Sequence, residues 1–386
     1  MIVYNSRLSV APLTLFAAST KSSEGMSLQI SSRALVLVFW SAIHSVIILS
    51  KCLYFRYLLL ISLPLGVSPV LAQETTDMPH LLPTHSRDRQ PQGAPRRVIS
   101  AKYAVQVLNH APALTPGTQK NICETNSNDV LKKGNPVDML DARDLYTSFY
   151  WSHPAGAQHT PWRNFTRGRR SGELVSNQAL TELLRALGLC PSRPIMIVGD
   201  WDRGWGEEAR MLWLLEYAGH PEVYIIEGGW SAWRHAGGPT TWGRTPVASR
   251  SDWTPRWDHS VRATTEQVEE MIARGIPSID ARSLREYEGA TPYGSPFGGH
   301  LPHSKHLPWS QLLDQDARLL TPAQLRARFI ELGFSTDQEL FTYCTGGIRS
   351  AMIYLALKEA GFQHAKNYDG SWWAWSSIPE HKSDHP

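Results

Sequence analysis

The sequence predicts an α/β fold made of two domains, each with a mostly parallel central sheet flanked by helices. Three observations lead to this prediction. The chain of 386 residues is too long for one ordinary domain, and its body carries the same pattern twice. Within each copy, short apolar runs alternate with longer amphipathic runs, as in parallel sheets whose crossover connections are helices.

Three pairs of matching segments, found in the same order, define the repeat. The pairs are DMLDARDLY (138–146) with PSIDARSLREY (277–287), SHPAGAQHTPW (152–162) with GHLPHSKHLPW (299–309), and AGHPEVYIIEGGWSAW (218–233) with AGFQHAKNYDGSWWAW (360–375). The repeat predicts an N-terminal domain over residues 98–240 and a C-terminal domain over residues 260–380, joined by a connection rich in proline and tryptophan.

Each copy contains a clear strand followed by a clear helix. Residues 193–200 and 339–344 are short apolar runs suited to buried parallel strands. Residues 207–219 and 349–361 carry apolar residues at helical spacing and close on a glycine. Because sites in such folds lie at the carboxyl ends of strands, Cys344 stands at a candidate site.

Composition excludes several classes of function. The formal charge of +3 is small and evenly spread, which argues against nucleic acid as a partner. The four cysteines include no Cys-x-x-Cys and have no metal-ligand spacing, so we expect neither a metal site nor a thioredoxin-type redox couple. Cys123 and Cys190 could pair in an oxidising compartment, but the sequence leaves their separation open.

The first 72 residues are predicted to be a leader. Residues 57–72 form a short apolar stretch that follows basic residues and ends on small ones, which predicts a signal peptide cleaved after Ala72 and a periplasmic or secreted protein. The earlier apolar run, 34–50, is near the lower length limit of a membrane span, so a membrane anchor is the alternative. Residues 73–97 are predicted to be a flexible linker.

Cys344 meets a glycine-rich turn at the end of its strand. Gly346 and Gly347 let the backbone curl so that several N–H groups point at one spot, which makes an anion-binding nest. The helix that begins near Arg349 adds the positive end of its dipole. These features predict a Cys344 thiolate with a lowered pKa.

The segments IDAR, GHLPHSKHLPW, YCTGGIRSA and YDGSWWAW resemble the rhodanese superfamily, in its tandem-domain thiosulfate/3-mercaptopyruvate sulfurtransferase form. The resemblance covers nearly everything from about residue 98 to residue 380. It implies that Cys344 accepts a sulfane sulfur as a persulfide. The loop implied to bind the sulfur anion is Thr345, Gly346, Gly347, Ile348 and Arg349, and Arg349 would bind the donor or stabilise the loop.

The same resemblance implies the partners. The donors would be small sulfur-containing anions, and the acceptor would be a thiol or a cyanide-like molecule. No cofactor is implied, and the membrane would be contacted only through an uncleaved leader.

The N-terminal copy has no cysteine in the matching loop and is expected to be inactive. Its strand ends in Asp200 where its partner ends in Cys344, and the loop that follows is about two residues longer. By resemblance, such a copy supports the fold and part of the cleft between the domains. Asp200 and Asp202 could be a metal or acid/base pair, although we favour a structural remnant that caps the following helix.

The C-terminal copy departs from the family pattern at a position that concerns the donor. In the tandem family a second arginine follows the Asp-x-Arg segment by four residues and helps to bind the donor anion, whereas Glu286 stands there in this chain. Arg285 could substitute for it. Arg282 is another possible donor ligand, or else a structural partner of Asp280. We therefore expect weak thiosulfate activity, which Glu286→Arg should improve.

Two other functions remain open from the sequence. A cysteine phosphatase uses a similar cradle, but Cys344 and Arg349 enclose four residues, and a phosphate-sized cradle needs one more. The second is a non-catalytic protein of the periplasm that binds sulfur or a partner, in which turnover is incidental.

Overall fold

The computed structural model describes residues 97–110, 123, 136–246, 249–381 and 383–384, and these all lie in one compact unit. The predicted leader and almost all of the predicted linker lie outside the described residues, so both stay predictions. Among the described residues, no helix combines the length and the apolar character needed to cross a membrane.

The first copy is built on a five-stranded parallel sheet. Its strands are β1 (Val98–Ser100), β2 (Asp138–Asp141), β4 (Gln158–His159), β5 (Ile195–Val198) and β6 (Val223–Glu227). Their order across the sheet is β1-β6-β5-β2-β4, and each neighbouring pair is parallel. The short strands β3 (His153–Pro154) and β7 (Thr240–Thr241) pair antiparallel beside it.

The second copy repeats this sheet. Its strands are β8 (Arg262–Ala263), β9 (Ser278–Asp280), β10 (Ser304–His306), β11 (Leu340–Tyr343) and β12 (Ala365–Tyr368). They lie in the order β10-β9-β11-β12-β8, again all parallel. Read from β8, this order is that of the first sheet, so β11 is the counterpart of β5. The predicted α/β fold class, with two mostly parallel sheets flanked by helices, is confirmed.

Helices flank both sheets, and those of the first copy are α1 (Ala101–Leu108), α2 (Tyr146–Trp151), α3 (Asn177–Ala186), α4 (Glu207–Tyr217) and α5 (Gly229–His235). The helices of the second copy are α6 (Thr265–Ala273), α7 (Leu284–Tyr287), α8 (Pro322–Glu331), α9 (Arg349–Glu359) and α10 (Ser371–Ser376). Side-chain hydrogen bonds at the N-cap position stabilise the N-termini of several helices. Thr264 and Thr321, for example, each form a capping box with a glutamine at the third helical position, which stabilises the N-termini of α6 and α8.

The two copies meet along their central helices. Helices α4 and α9 contact each other, and both are buried along almost their whole length. Apolar residues on all sides of a helix are what such a central position requires. The Tyr354 hydroxyl of α9 donates to Glu216 of α4 at 3.0 Å, which ties the two helices together. The carboxyl ends of β5 and β11, from which these helices start, are therefore positioned by one shared core.

A disulfide joins Cys123 to Cys190, across a sequence separation of 67 residues. The structure thus pairs the two cysteines whose separation the sequence left open. Cys344 is the free cysteine among the described residues, and it is buried.

Candidate active site

Cys344 directly follows β11, the middle strand of the second sheet. Its backbone N–H donates to the Ser371 hydroxyl at 3.1 Å, and its carbonyl oxygen accepts from the Trp372 N–H at 3.0 Å. Both partners belong to the first turn of α10, the helix that follows the neighbouring strand β12. These two backbone hydrogen bonds fix the position of Cys344. Its sulfur is then available to accept hydrogen bonds from the loop that follows.

That loop turns tightly into α9 and directs hydrogen-bond donors at the sulfur. The Gly347 N–H donates to Cys344 Sγ at 3.1 Å, and the Ser350 hydroxyl lies 3.7 Å from the same sulfur. Gly347 has φ of 81°, a left-handed conformation that only glycine adopts without strain. A side chain on Gly346 would collide with the ring of Trp373. Both glycines are therefore required for this turn.

The surroundings of Cys344 favour the thiolate. Burial opposes ionisation, but the charge of Arg349 and the nearby backbone N–H groups of Ser350 and Gly346 outweigh it, so the pKa of Cys344 is lowered. This is the direction that the sequence predicts. The thiolate is stabilised by fixed dipoles and a charge, since none of the groups that lower its pKa is a general base.

Arg349 is held by a carboxylate that the sequence did not assign to it. Its two terminal nitrogens each donate to Glu286 at 2.8 Å, and the Thr345 hydroxyl donates to the same carboxylate at 2.7 Å. Burial opposes ionisation of Glu286, yet the bonds from Arg349, with those from Thr345 and Ser283, lower its pKa to about 2. Glu286 is thus an anion at neutral pH that fixes both ends of the Cys344 loop.

This ion pair bears on two expectations. Arg349 stabilises the loop, because the residue is 7% exposed and its guanidinium donates to Glu286 and Thr345. An arginine at position 286 would place a second cation against Arg349 instead of adding a donor ligand. This contact does not support the expectation that Glu286→Arg improves thiosulfate activity, and that expectation stays untested.

The two arginines proposed as donor ligands lie outside the loop. Arg282 is 1% exposed, donates to both oxygens of Asp280 and to the Gly299 carbonyl oxygen, and stacks over Trp372. These bonds make it a structural partner of Asp280, which is one of the two roles that the sequence left open for it. Arg285 lies exposed on α7, and among the described residues its side chain makes none of the contacts that hold the loop.

Aromatic side chains from both copies cover the site. Trp205, in the loop before α4, meets Tyr293 edge to face at 5.1 Å, and Arg349 lies under both rings. The Trp373 indole N–H donates to the Tyr293 carbonyl oxygen at 3.2 Å. Aromatic rings of both copies thus pack against the guanidinium of Arg349 at the end of the Cys344 loop, and Cys344 itself is 1% exposed.

The first copy carries no thiol at the equivalent point, but its counterpart of Cys344 is Gly199 and not Asp200. Gly199 directly follows β5, and its carbonyl oxygen accepts from the Trp230 N–H, just as that of Cys344 accepts from Trp372. A Cβ atom on Gly199 would collide with the Glu208 carboxylate. In this copy a carboxylate of the chain itself occupies the space that corresponds to the sulfur.

Asp200 does not cap α4, which corrects the role favoured for it from the sequence. It stands before a short 3-10 turn, Trp201–Arg203, and makes no side-chain capping bond there. The N-cap position of α4 belongs to Gly206. Among the described residues, no group of three or more histidine, cysteine, aspartate or glutamate side chains is arranged to hold a metal ion.

A charged residue of the first copy hydrogen-bonds to the Cys344 loop, and sequence reasoning missed it. Arg210 of α4 is 2% exposed and donates to the Gly347 carbonyl oxygen at 3.1 Å and to that of Gly172. Burial lowers its pKa to about 10, while Asp369 and Cys344 act in the other direction. Arg210 is therefore a cation at neutral pH beside the loop.

Comparison with known proteins gives consistent results. The family model described as Rhodanese-like domain matches twice, over residues 127–236 and 264–378. The chain is 29% identical over 257 residues to "Sulfur carrier protein TtuD" of Thermus thermophilus, a match that covers 63% of this chain and 88% of that protein. It is 27% identical over 259 residues to a "Putative thiosulfate sulfurtransferase" of Haloferax volcanii, covering 65% and 90% of the two chains.

A third relative and two solved structures extend the comparison. The "Thiosulfate sulfurtransferase" of Corynebacterium glutamicum is 27% identical over 238 residues, which cover 58% of this chain and 77% of that one. The crystal structure of YnjE superposes with a TM-score of 0.57 at 20% identity, covering 64% of this chain and 62% of YnjE. Wild-type EanB superposes with a TM-score of 0.62 at 16% identity, covering 75% and 69%. These two structures share the fold.

Proposed function

Because this chain belongs to the rhodanese family, with two rhodanese-like domains in tandem, we propose that it is a sulfurtransferase whose Cys344 carries the sulfur as a persulfide. The observation that carries the proposal is the loop geometry. A free cysteine with a lowered pKa lies at the end of the central strand, and its sulfur accepts a hydrogen bond from the Gly347 N–H. The names of the relatives support sulfur as the atom that is transferred.

The reaction proceeds in two half-reactions that balance without a redox cofactor. The Cys344 thiolate attacks the outer sulfur of a donor such as thiosulfate, the S–S bond of the donor breaks, and sulfite leaves with the bonding electrons. An acceptor such as cyanide or a thiolate then attacks the terminal sulfur of the persulfide. The S–S bond at Cys344 breaks, the thiolate is restored, and cyanide leaves as thiocyanate.

The chain stabilises each anionic state with groups already in place. The Gly347 N–H and the Ser350 hydroxyl face the sulfur, and the start of α9 contributes its dipole. The four residues between Cys344 and Arg349 make a loop suited to a sulfur atom. A phosphate-sized loop needs one more residue, which disfavours phosphatase chemistry.

The donor is proposed to be a small sulfur-containing anion that binds weakly. Arg349 is occupied by Glu286 and Arg282 by Asp280, so neither guanidinium is free to clamp the donor. Steady-state rates measured with thiosulfate or 3-mercaptopyruvate against cyanide test the reaction. Parallel double-reciprocal plots are expected for a persulfide intermediate. Intersecting plots would mean that donor and acceptor must be bound together, which contradicts the proposal.

Asp200→Ala is expected to leave sulfur transfer within about threefold of the parent, because the loop of the first copy holds no nucleophile. The measurement is kcat and KM for both donors, on protein shown to be folded by circular dichroism. Cys344→Ser serves as the matched inactive control. A loss in Asp200→Ala as large as that in Cys344→Ser would show that the first copy takes part in the chemistry.

A second candidate function is non-catalytic: a protein that binds sulfur or a partner, with incidental turnover. Two observations favour it, the 1% exposure of Cys344 and the relative named as a sulfur carrier. A single-turnover experiment on protein loaded with sulfur distinguishes the two candidate functions. An enzyme passes the sulfur to free small thiols and cyanide. A carrier keeps the sulfur in the presence of both and releases it only to a partner protein.

We also propose export, with a mature protein that begins near Gln73 and retains the Cys123–Cys190 disulfide. Disulfides persist in oxidising compartments, so this pair supports a periplasmic or secreted location. Mass spectrometry of the protein recovered from the extracytoplasmic fraction, without reductant, is expected to give the cleaved N-terminus and one peptide pair linked through these cysteines. Full-length protein recovered from the membrane, or two free thiols at these positions, would contradict export.

A further inference from the structure

The arginines near Cys344 differ in whether a carboxylate in direct contact neutralises their positive charge. Arg349 has the largest charge effect on the sulfur, but it forms a two-bond ion pair with Glu286. Arg262 lies further along the same edge and forms a two-bond ion pair with Asp369. Each of these cations is thus offset by a carboxylate in direct contact with it.

Arg210 is different, because among the described residues its guanidinium hydrogen bonds go to the carbonyl oxygens of Gly347 and Gly172. Its third contact is the ring of Trp213, one turn along α4, at 4.5 Å from the guanidinium carbon. Carbonyl oxygens and a ring face carry partial charges only. Burial lowers the pKa of Arg210 and Asp369 acts in the other direction, but the Asp369 carboxylate bonds directly to Arg262. Without a carboxylate in direct contact among the described residues, Arg210 leaves more net positive potential at the loop than a directly paired cation does.

The bond from Arg210 also controls one peptide unit of the loop. The Gly347 carbonyl oxygen accepts from Arg210 at 3.1 Å and from the Asn367 side-chain amide at 3.2 Å. Gly347 has φ of 81°, and a glycine is the residue at which a peptide unit turns over most easily. If this carbonyl turned toward the sulfur, its negative end would face a thiolate. The two donors oppose that rotation.

The position of Arg210 is fixed by the packing of one copy on the other. A Cβ atom on Gly172 would collide with the carbonyl oxygens of Asp369 and Gly346, so this segment of the first copy lies directly against the loop. The Leu174 N–H donates to Asp369 at 2.9 Å beside it. The guanidinium of Arg210 bridges this segment and the loop, and it is buried between them.

We infer that Arg210, contributed by the copy that has no thiol, is a positioning residue for the sulfur site: it holds the Gly347 carbonyl away from Cys344 and adds positive charge, beside that of Arg349, that favours the anionic sulfur. The inference rests on the proposed function for its purpose, the stabilisation of a thiolate and a persulfide. It assigns the first copy a part in the site that a purely structural domain would not have.

The test is the pH dependence of Cys344 alkylation by iodoacetamide in the full chain, followed by mass spectrometry of the Cys344 peptide. Arg210→Gln keeps a donor for a carbonyl and removes the charge, whereas Arg210→Lys keeps the charge and one donor. Arg185→Gln is the matched control, because Arg185 also bonds a carbonyl oxygen, that of Trp253, away from the loop.

The charged and titratable groups that face the loop are Arg210, Arg262, Glu286, Tyr293, Arg349 and Asp369.

Arg210→Gln is expected to raise the alkylation midpoint by about one pH unit and to slow alkylation about tenfold below that midpoint. Arg210→Lys should restore most of the shift, and Arg185→Gln should leave the midpoint unchanged. A folded Arg210→Gln protein with the parental midpoint would overturn the inference. If that variant does not fold, Arg210→Met takes its place, and a folded Arg210→Met protein with the parental midpoint would equally overturn the inference.

This readout is separate from sulfur transfer. Alkylation reports the thiolate and needs neither donor nor acceptor. A protein with the expected midpoint shifts that loads no sulfur would end the proposed function and leave the role of Arg210 intact. If the protein transfers sulfur but Arg210→Gln leaves the alkylation midpoint unchanged, the role of Arg210 is refuted and the proposed function stands.

Discussion

Cys344→Ser is expected to abolish sulfur transfer completely, which is the largest effect of any single substitution in this chain. A serine hydroxyl has a pKa far above that of a thiol, and the donors that face Cys344 cannot bring it into the neutral range. The change removes one buried sulfur from a well-packed loop, so the fold should survive it. Thiocyanate formation from thiosulfate and cyanide should fall to the uncatalysed rate, with the circular dichroism spectrum unchanged.

Residual turnover in Cys344→Ser above about one part in a thousand of the parental rate would contradict this account, because no second thiol of the described residues is free to replace Cys344. Cys123 and Cys190 are paired in the disulfide. Addition of reductant to the variant makes the test stricter, since it would release those two thiols without restoring activity.

Glu286→Gln is expected to have the second largest effect on sulfur transfer. It removes the carboxylate that fixes the Cys344 loop, and it also lowers the free energy of unfolding. The carboxylate takes both bonds of Arg349 and that of Thr345, so its loss leaves a buried cation without its counter-charge. The pKa of Glu286 is lowered from 4.5 to about 2, which corresponds to about 3 kcal/mol of stability at neutral pH. Sulfur transfer should fall by at least about a hundredfold, because the turn that faces the sulfur is no longer fixed.

The pH dependence of this loss follows from the direction of the shift. A lowered pKa in the folded state contributes stability that is fully present above about pH 4.5 and is lost as the pH falls toward 2. The difference in unfolding free energy between parent and Glu286→Gln, measured with urea, should be constant from neutral pH to about pH 5 and should narrow below it. Glu288→Gln, at an exposed carboxylate beside the same short helix, is the control and should change stability little. A difference that does not vary with pH would contradict the ion-pair explanation.

The fold could be predicted from the sequence because its signals are local or repeated. The alternation of β5 with α4 and of β11 with α9 follows from apolar periodicity, and the matched segments show that the two copies share one topology. Gly346 and Gly347 after a strand-end cysteine likewise predict a nest of N–H groups, since only the backbone is involved.

The rest depends on residues far apart in the sequence. Glu286 and Arg349 are separated by 63 positions, and Arg210 and Gly347 by 137, so no local pattern links them. The identification of Asp200 as the counterpart of Cys344 failed for a related reason. The two loops differ in length, and only the strand register and the bond from Trp230 identify Gly199 as the counterpart. Arg282 was left between two roles because its exposure cannot be read from a sequence.

The central claim is that Cys344 holds the transferred sulfur covalently, and the mass of one peptide tests it directly. Purified protein mixed with thiosulfate, and separately with 3-mercaptopyruvate, is digested without reductant, and the peptide that carries Cys344 is weighed. We predict a gain of about 32 Da, one sulfur atom, that disappears when cyanide is added and is absent in Cys344→Ser. An unmodified Cys344 peptide with every donor, together with hydrolysis of phosphate esters by the same preparation, would contradict the claim and the assignment that rests on it.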